Sequence, residues 1–257
     1  MNHVFDTYAA YYDLLYKAKD YAAEAEYVEC LIRKHAPKAK YILELGCGTG
    51  AHAEHFARMG YTVEGVDISE SMLSCAKNRC TGLPDELVRR LNFEQGDVRT
   101  YRKNTPFDVV LSLFHVFSYQ VSNQDLASTF ETAAAHLSVG GLLIFDYWYG
   151  PAVLTQCPDV RIKRLEDKKI KVLRIAEPVM YLNENRVQVN YTVQVEKKTG
   201  GMLREIHESH DMRYLFLPEI ENVARPWFKV NKHFAWMKKE LPGSDDWAGV
   251  SILERLP

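Results

Sequence analysis

The chain has 257 residues, of which 47% are hydrophobic and 26% charged, with a formal net charge of −2 at pH 7. That length suits one domain with an insertion, or two small domains, and is enough to bury a sizeable core. The near-neutral balance excludes a general electrostatic field for nucleic acid or an anionic membrane surface, which favours a small-molecule partner. Cys30, Cys47, Cys75, Cys80 and Cys157 contain no C-x-x-C pair and are odd in number, against a disulfide scaffold or a structural zinc site. No apolar run reaches the roughly 18 residues a spanning helix needs. The first residues also lack a basic segment leading into an apolar one, so a cytoplasmic protein with no membrane partner is expected.

Residues 5–36 are rich in Tyr and Ala, with Tyr8, Tyr12 and Tyr16 at helical spacing and Tyr11, Tyr21 and Tyr27 nearby. Two helices closed by Pro37 are expected. The tyrosines read either as a packing stripe or as the lining of a pocket mouth.

Residues 42–50, Ile-Leu-Glu-Leu-Gly-Cys-Gly-Thr-Gly, read as a short buried strand, a glycine turn and the start of a helix. Gly46, Gly48 and Gly50 let backbone approach a ligand closely, and the amides of the next helix's first turn favour electron-rich groups. The order is G-x-G-x-G, not the G-x-G-x-x-G of dinucleotide folds, and Glu44 precedes it. An acid there is badly placed for a pyrophosphate and suits a cation; S-adenosylmethionine carries both an ammonium and a sulfonium.

A helix over residues 52–59 ends at Gly60, and His52 and His55 on it read as packed or surface residues, since no third ligand is near in sequence. Residues 61–66 form the second strand, and Asp67 at its end is placed to accept from ribose hydroxyls. Ser69 caps a helix through Met72, Leu73 and Ala76. Residues 91–95 form the third strand, with Gly96-Asp97-Val98 as its exit. Residues 107–114 are nearly continuous apolar, as a central parallel strand requires, and their carboxyl end delivers His115, Phe117, Ser118 and Tyr119 to the crevice where such sheets bind ligands. A helix over 123–136 follows, then Gly140-Gly141, a strand over 142–145, and the segment Asp146-Tyr147-Trp148-Tyr149.

From about Asp159 the pattern turns to strand after strand. Residues 169–175 and 186–195 alternate, the latter with Val187, Val189, Tyr191, Val193 and Val195 on one face. Thr199-Gly200-Gly201 reads as a hairpin turn into a strand over 202–216. The single apolar face of this antiparallel sheet must cover the site mouth or a second subunit, giving a homodimer through the insertion. Arg161, Lys163, Arg164, Lys168, Lys169 and Lys171 read as a solvated strand face with a diphosphate contact as the alternative, and His207 and His210 as sheet and pocket-edge residues. The segment 213–219 leads into a last core helix, and residues 230–236 and 250–256 supply closing strands.

Four blocks, Glu44-Leu45-Gly46-Cys47-Gly48-Thr49-Gly50, Val63-Glu64-Gly65-Val66-Asp67-Ile68-Ser69, Gln95-Gly96-Asp97 and Phe107-Asp108-Val109-Val110, resemble in order and spacing the class I S-adenosylmethionine-dependent methyltransferases. The resemblance narrows at Tyr12-Asp13-Leu14-Leu15-Tyr16, Lys19-Asp20-Tyr21-Ala22-Ala23-Glu24-Ala25 and the run over 48–56, which look like bacterial N-methyltransferases of nucleotide-linked amino sugars. It implies an α/β, Rossmann-like, mostly parallel doubly wound sheet with an antiparallel β insertion. The expected organisation is cap helices over 1–40, a cofactor-binding core over 41–158, the insertion over 159–216 and the rest of the core over 217–257. It implies S-adenosylmethionine as cofactor, held by Tyr21, Glu44, Gly46, Cys47, Gly48, Asp67, Ile68, Met72, Asp97, Val98 and Leu113, with Asp97 on the adenine amino group. Tyr16 and Tyr119 fall beside the acceptor, with His115 ranked below them, and no metal is implied.

Methyl transfer from a sulfonium is an in-line displacement in which positioning supplies much of the barrier reduction, so a strong base is not obligatory for an amine. The subfamily usually has a Gly-rich tail with an arginine for the nucleotide's phosphates, where this chain has Asp245-Asp246-Trp247-Ala248-Gly249-Val250. The alternatives are therefore a small-molecule O- or N-methyltransferase with a non-sugar acceptor, or a non-catalytic S-adenosylmethionine-binding protein. A nicotinamide dehydrogenase would need the other glycine spacing. A nucleic-acid amino-methyltransferase would show an Asn or Asp-Pro-Pro-aromatic segment where Ser112-Leu113-Phe114-His115 stands.

Overall fold

The computed structural model describes residues 14–199 and 204–257. Tyr8, Tyr11, Tyr12 and Asp13, the greater part of the first expected helix, and Gly200 and Gly201 of the hairpin turn lie outside them. The second helix, α1 (Tyr21–His35), is capped by Asp20, which accepts from the Ala23 amide at 2.9 Å.

A parallel sheet runs β3-β2-β1-β4-β5, with β1 (Tyr41–Leu45) central, β2 (Thr62–Asp67) and β3 (Leu91–Gln95) on one side, and β4 (Phe107–Ser112) and β5 (Leu137–Tyr149) on the other. Beyond β5 the antiparallel β11 (Ala248–Arg255) pairs with β10 (Phe228–Ala235). The alternation of a strand sorts neighbouring residues to opposite faces. Ile42 packs with Ala25, Val28 and Ile32 of α1 and with Ala53 and Phe56 of α2 (Ala51–Arg58), next to α3 (Glu70–Cys80). Leu43 and Leu45 pack on the other side with Leu126 and Phe130, and a short α4 (Asp85–Val88) lies before β3. Those partners belong to α5 (Asn123–Ala135); further on come α6 (Gly150–Gln156) and α7 (Leu217–Ala224), whose Ile220 joins the same cluster. Burial of each of these aliphatic or aromatic side chains is worth roughly 1.5–3 kcal/mol, which makes this a three-layer fold with the sheet as its core.

One detail differs from the sequence expectation. The strand expected over 142–145 runs from Leu137 to Tyr149, because it pairs on both edges and continues past a register shift where Gly140 takes φ +82°. Residues 161–166, read as a solvated strand face, form a largely exposed edge strand, β6 (Arg161–Glu166).

The insertion is the meander β6, β7 (Ile170–Tyr181), β8 (Arg186–Lys197) and β9 (Arg204–Leu215). It is an extension of the main sheet: Trp148 and Tyr149 at the end of β5 pair in parallel with Tyr214 and Leu215. Its inner face is covered by its own chain, Val172 and Val193 packing on Leu15 and Met72, and Ala176, Val187 and Val189 on Val153 of α6. The insertion thus roofs the carboxyl ends of the core strands.

Arg213 on β9 fastens that roof. It is 7% exposed and donates to Val121 O (3.2 Å), Asn123 Oδ1 (2.6 Å) and the Glu219 carboxylate. Arg213→Leu should lower the unfolding free energy by about 3 kcal/mol, the low end for breaking a buried pair because Glu219 can partly rehydrate. Chemical denaturation monitored by tryptophan fluorescence checks this; an unchanged midpoint would show the roof is held by packing alone.

Candidate functional site

Strand ends, glycine turns and the roof converge at one place. Gly46 has φ +78°, and a Cβ there would come within 2.5 Å of Val116, so the turn is pressed against the exit of β4. Gly48 has φ +53° with open space where a Cβ would point, leaving bare backbone toward the crevice. The Gly46 and Cys47 amides donate to Val66 O at 2.7 and 3.0 Å, fixing the turn to β2. Cys47 itself is buried, and burial followed by Asp67 and Glu44 pushes its thiol up, so it packs as a neutral residue.

Glu44 is on the same strand face as Ile42 and is 1% exposed. One carboxyl oxygen, Oε2, has no hydrogen-bond partner among the described residues. Burial, with Asp67 adding to it, pushes the carboxyl up to about 8, opposed only by the Ala53 amide. A buried carboxyl with a vacant oxygen, beside open backbone at Gly48, fits a cationic ligand group such as an ammonium.

A second layer of charge backs this group. His52 Nδ1 lies 3.8 Å from Glu44 Oε1, and its Nε2 lies 2.9 Å from Glu24 Oε2. Lys19 pairs with the other Glu24 oxygen. Although burial opposes it, hydrogen bonds from His52 and Lys19 hold Glu24 down at about 2. Tyr21 packs edge-on to His52 at 4.9 Å, so the segment before α1 is tied to the glycine turn. His52 is therefore a packed histidine, as the sequence suggested, and one that also links Glu44 to Glu24.

Asp67 accepts from the Gly48 amide at 2.8 Å and the Ser69 amide at 2.9 Å, and burial nevertheless raises it. Each of its oxygens retains a lone pair for a hydroxyl donor. Ile68 follows it, its carbonyl bonded by Gln95 Nε2 at 3.1 Å, and Ser69 caps α3 through the Met72 amide at 3.2 Å. Met72 and Leu113 are buried beneath the roof and the sheet respectively, and Val98 packs partly buried on the α5 side. Asp97 is clamped by Arg99, whose Nη2 sits 2.6 Å from Oδ2, and this holds it below the ordinary carboxylate range. Arg99 also reaches Asp125 at 2.8 Å, so Asp97 is a fixed acceptor at the β3 exit.

The exit of β4 is locked in an uncommon conformation. Phe114 and His115 both have positive φ, +67° and +66°, which for non-glycine residues marks a site held by its surroundings. The His115 amide donates to Asp146 Oδ1 at 2.9 Å, and the Ser118 hydroxyl accepts from the Trp148 amide at 2.9 Å. His115 Nδ1 is 2.8 Å from Asp146 Oδ2 but outside hydrogen-bonding geometry. Tyr16 packs edge-on to Phe114 at 4.9 Å, and Lys19 Nζ lies 4.3 Å from that ring's centre.

Tyr119 ends this loop in a half-buried position. Burial is the main reason its hydroxyl is raised well above 10, followed by Tyr191, Tyr16, Glu208 and Asp67. Those neighbours come from β8, the N-terminal segment, β9 and β2, so Tyr119 stands where the cofactor side and the roof meet. The hydroxyl is 2.8 Å from His210 Nδ1. Burial likewise pushes Tyr191 up to about 12.

Of the roof's polar residues, sequence reading offered Lys163 and His210 and missed Arg174 and Glu208. In the β6–β9 register Lys163 lies opposite Arg174, and Glu208 opposite Tyr191. A polar band thus crosses an otherwise apolar sheet face. The mixed alternation at Arg174 and Glu208 was its only trace in the sequence. The acidic tail is not aimed at this band: Asp246 pairs with Lys238 and accepts from the Gly243 amide at 2.8 Å, closing a local turn.

The methyltransferase domain family matches residues 42–141. The chain is 32% identical over 203 residues to the dTDP-3-amino-3,4,6-trideoxy-alpha-D-glucopyranose N,N-dimethyltransferase of Streptomyces venezuelae, covering 78% of this chain and 81% of that one. It is 31% identical over 187 residues to the dTDP-3-amino-3,6-dideoxy-alpha-D-glucopyranose N,N-dimethyltransferase of Streptomyces fradiae, covering 72% and 70%. Among solved structures, Streptomyces venezuelae DesVI superposes with a TM-score of 0.78 at 26% identity, covering 97% and 98%. An S-adenosylmethionine-dependent methyltransferase of Clostridium acetobutylicum does so at 0.81, with 20% identity and coverage of 98% and 99%.

The state of Glu44 gives a test of the cation site. Its carboxyl moves from 4.5 in the unfolded chain to about 8 in the empty fold. Folding stability from this group is therefore present below 4.5 and lost as pH rises through about 8. A ligand ammonium reverses that by ionising Glu44 and expelling a proton. Affinity for S-adenosylhomocysteine, which keeps the ammonium, should rise by up to about tenfold per pH unit as pH approaches that value, then level off. Calorimetry across pH checks this, and Glu44→Gln should bind more weakly with a flat profile.

Proposed function

The chain belongs to the S-adenosylmethionine-dependent methyltransferases, and from that premise we propose that it methylates the amine of a nucleotide-linked amino sugar. Bound cofactor supplies a methyl group on a positively charged sulfur, an electrophile with a good leaving group. The chain's own task is then to hold the acceptor nitrogen in line and take its proton. Glu44 would hold the ammonium, Asp67 the ribose hydroxyls and Asp97 the adenine amino group, against Gly46, Gly48 and the walls given by Tyr21, Cys47, Ile68, Met72, Val98 and Leu113.

The observation that carries the acceptor reading is Tyr119, whose buried hydroxyl feels Asp67 from the cofactor side and Tyr16 and Tyr191 from the roof side. A phenol this hard to ionise accepts and relays a hydrogen bond and is a poor base. That suits an amine better than an alcohol, which needs its proton removed. Backbone anchored by Asp146 leaves His115 a positioning part of the same loop. The nucleotide is supported by the roof: Lys163 and Arg174 lie opposite each other across β6 and β7 and put two cations on its inner face, suited to a diphosphate. Burial and then Arg174 and Arg161 lower the Lys163 ammonium, as expected where cations crowd. These residues stand in for the missing tail arginine.

In this division of labour residues 41–158 and 217–257 bind the cofactor, 1–40 cap it, and 159–216 hold the acceptor. A homodimer through the insertion would use its outer face, where Ile162 is 51% and Val179 43% exposed. Exposed thiols at Cys30 and Cys157 suit the reducing cytoplasm in which nucleotide sugars are made. Among the described residues no helix is long and apolar enough to cross a membrane.

Mass spectrometry of wild type with S-adenosylmethionine and a panel of nucleotide-linked amino sugars should show one or two added methyl groups. Tyr16→Phe and Tyr119→Phe should each lower kcat by about a hundredfold with cofactor affinity nearly unchanged. Methylation of hydroxyl-only sugars in preference to amines would overturn the reading.

A further inference from the structure

Tyr119 is the first member of a three-residue line that runs from the half-buried phenol to two buried side chains. Its hydroxyl is 2.8 Å from His210 Nδ1, and His210 Nε2 is 3.4 Å from Glu208 Oε2. His210 and Glu208 side chains are 4% and 3% exposed, although both sit on a strand that is otherwise half open. A sheet roofing a pocket is cheapest when its inward positions are apolar, so a histidine and a glutamate there stand out. We infer that Tyr119, His210 and Glu208 form a relay that carries the acceptor's proton out of the methyl-transfer pocket, with His210 a positioning residue acting through Tyr119. The inference rests on the proposal that the acceptor is an amine at Tyr119.

The direction of the relay follows from donors and acceptors. A carboxylate only accepts, so the His210 nitrogen facing Glu208 carries the proton. The other nitrogen, Nδ1, then offers a lone pair and accepts from the Tyr119 hydroxyl. With its one hydrogen donated to His210, the Tyr119 oxygen acts as an acceptor, matched to an N–H of the acceptor amine.

The proton count closes. One proton leaves the acceptor ammonium for the Tyr119 oxygen as the Tyr119 proton moves to Nδ1. Tyr119 ends neutral, His210 ends as an imidazolium beside Glu208, and the acceptor nitrogen gains the free electron pair it needs to form the new N–C bond. The charge in the pocket does not change, only its place. Transfer to the neutral amine creates a new N–H cation, so a second methylation needs the relay again, after the His210 imidazolium has returned its proton to solvent between the two transfers.

Several groups surround His210. Glu208 is on its own strand, and Tyr191 of β8 packs edge-on at 5.0 Å, with the Arg174 guanidinium of β7 over the Tyr191 ring at 5.0 Å from its centre. Tyr119 comes from the β4 exit, while Tyr16 of the N-terminal segment acts on Tyr119 and Tyr191.

The test uses His210→Gln, which keeps a hydrogen bond to Tyr119 and cannot take a proton, and the isosteric Glu208→Gln. In the expected result His210→Gln lowers kcat at neutral pH by about tenfold or more while S-adenosylhomocysteine affinity and the acceptor KM stay within error. The deficit shrinks as pH rises toward the acceptor's own pKa, where amine arrives unprotonated, and the variant accumulates monomethylated product. A kcat against pH profile superimposable on wild type, with the same product ratio, would overturn the relay. Nitrogen-15 NMR of wild type, with His210 assigned by difference from the Gln variant, gives an independent arm that needs no acceptor. An unprotonated Nδ1, with the neutral tautomer lost toward a mixture in Glu208→Gln, is expected, and a proton on Nδ1 in wild type would overturn the relay. Should wild type methylate no amine while the tautomer is as expected, the substrate reading fails and the hydrogen-bonded line stands as geometry without a proton to carry, which also ends the relay.

Discussion

The Glu44 carboxyl is buried at the end of the central strand with one oxygen vacant, and the surrounding structure is arranged to keep it there. Strand alternation puts it on the α1 and α2 side, where it receives only the Ala53 amide. An unsatisfied buried polar atom costs about 1–3 kcal/mol, a cost the rest of the fold offsets. The restraint is visible in the glycine turn, pinned through Val66 O and Asp67, and in the line from His52 through Glu24 to Lys19. That line extends the restraint to the segment before α1. In the proposed reading the charges that would recognise the cofactor are thereby also those that anchor the segment leading into α1.

The same logic of restraint governs the far wall. The β4 exit carries two consecutive left-handed residues, Phe114 and His115, fixed by Asp146 below and by Ser118 against Trp148. Strain of this kind, of order 1–3 kcal/mol per residue, persists only where neighbours over-determine the backbone. Its effect is to aim Tyr119 at the meeting point of core and roof. A flexible loop would deliver the same hydroxyl with far less positional accuracy, and accuracy of position is what an in-line displacement demands.

The roof supplies what the core lacks. The core brings acids and backbone suited to a cationic cofactor, while the insertion brings Lys163, Arg174, Tyr191, Glu208 and His210, a band of opposite and mixed character. Joined to the sheet through Trp148 and Tyr149, it is registered against the core by backbone hydrogen bonds as well as by packing. A relay or an anion contact built on β6 to β9 is thereby held at a fixed height over the crevice.

Much of this was legible in the sequence because local rules carry it. The strand, turn and helix around Gly46, the caps at Gly60 and Ser69, and the alternation of β8 depend on residues near one another and on two periodicities. Glu44 before the glycines also announced a cationic ligand without reference to any distant residue. The sequence did not determine the partners: His52 looked idle because Glu24 is remote from it in the chain, and His210 looked peripheral because Tyr119 is 91 positions away. Whether Arg174 and Glu208 would face water or the pocket likewise waited on which side of the insertion met the core, since a strand's pattern states which residues share a face but not what that face will cover. Only the tertiary packing, through the β5–β9 junction and Arg213, decided that the mixed face is the inner one and so made it part of the site.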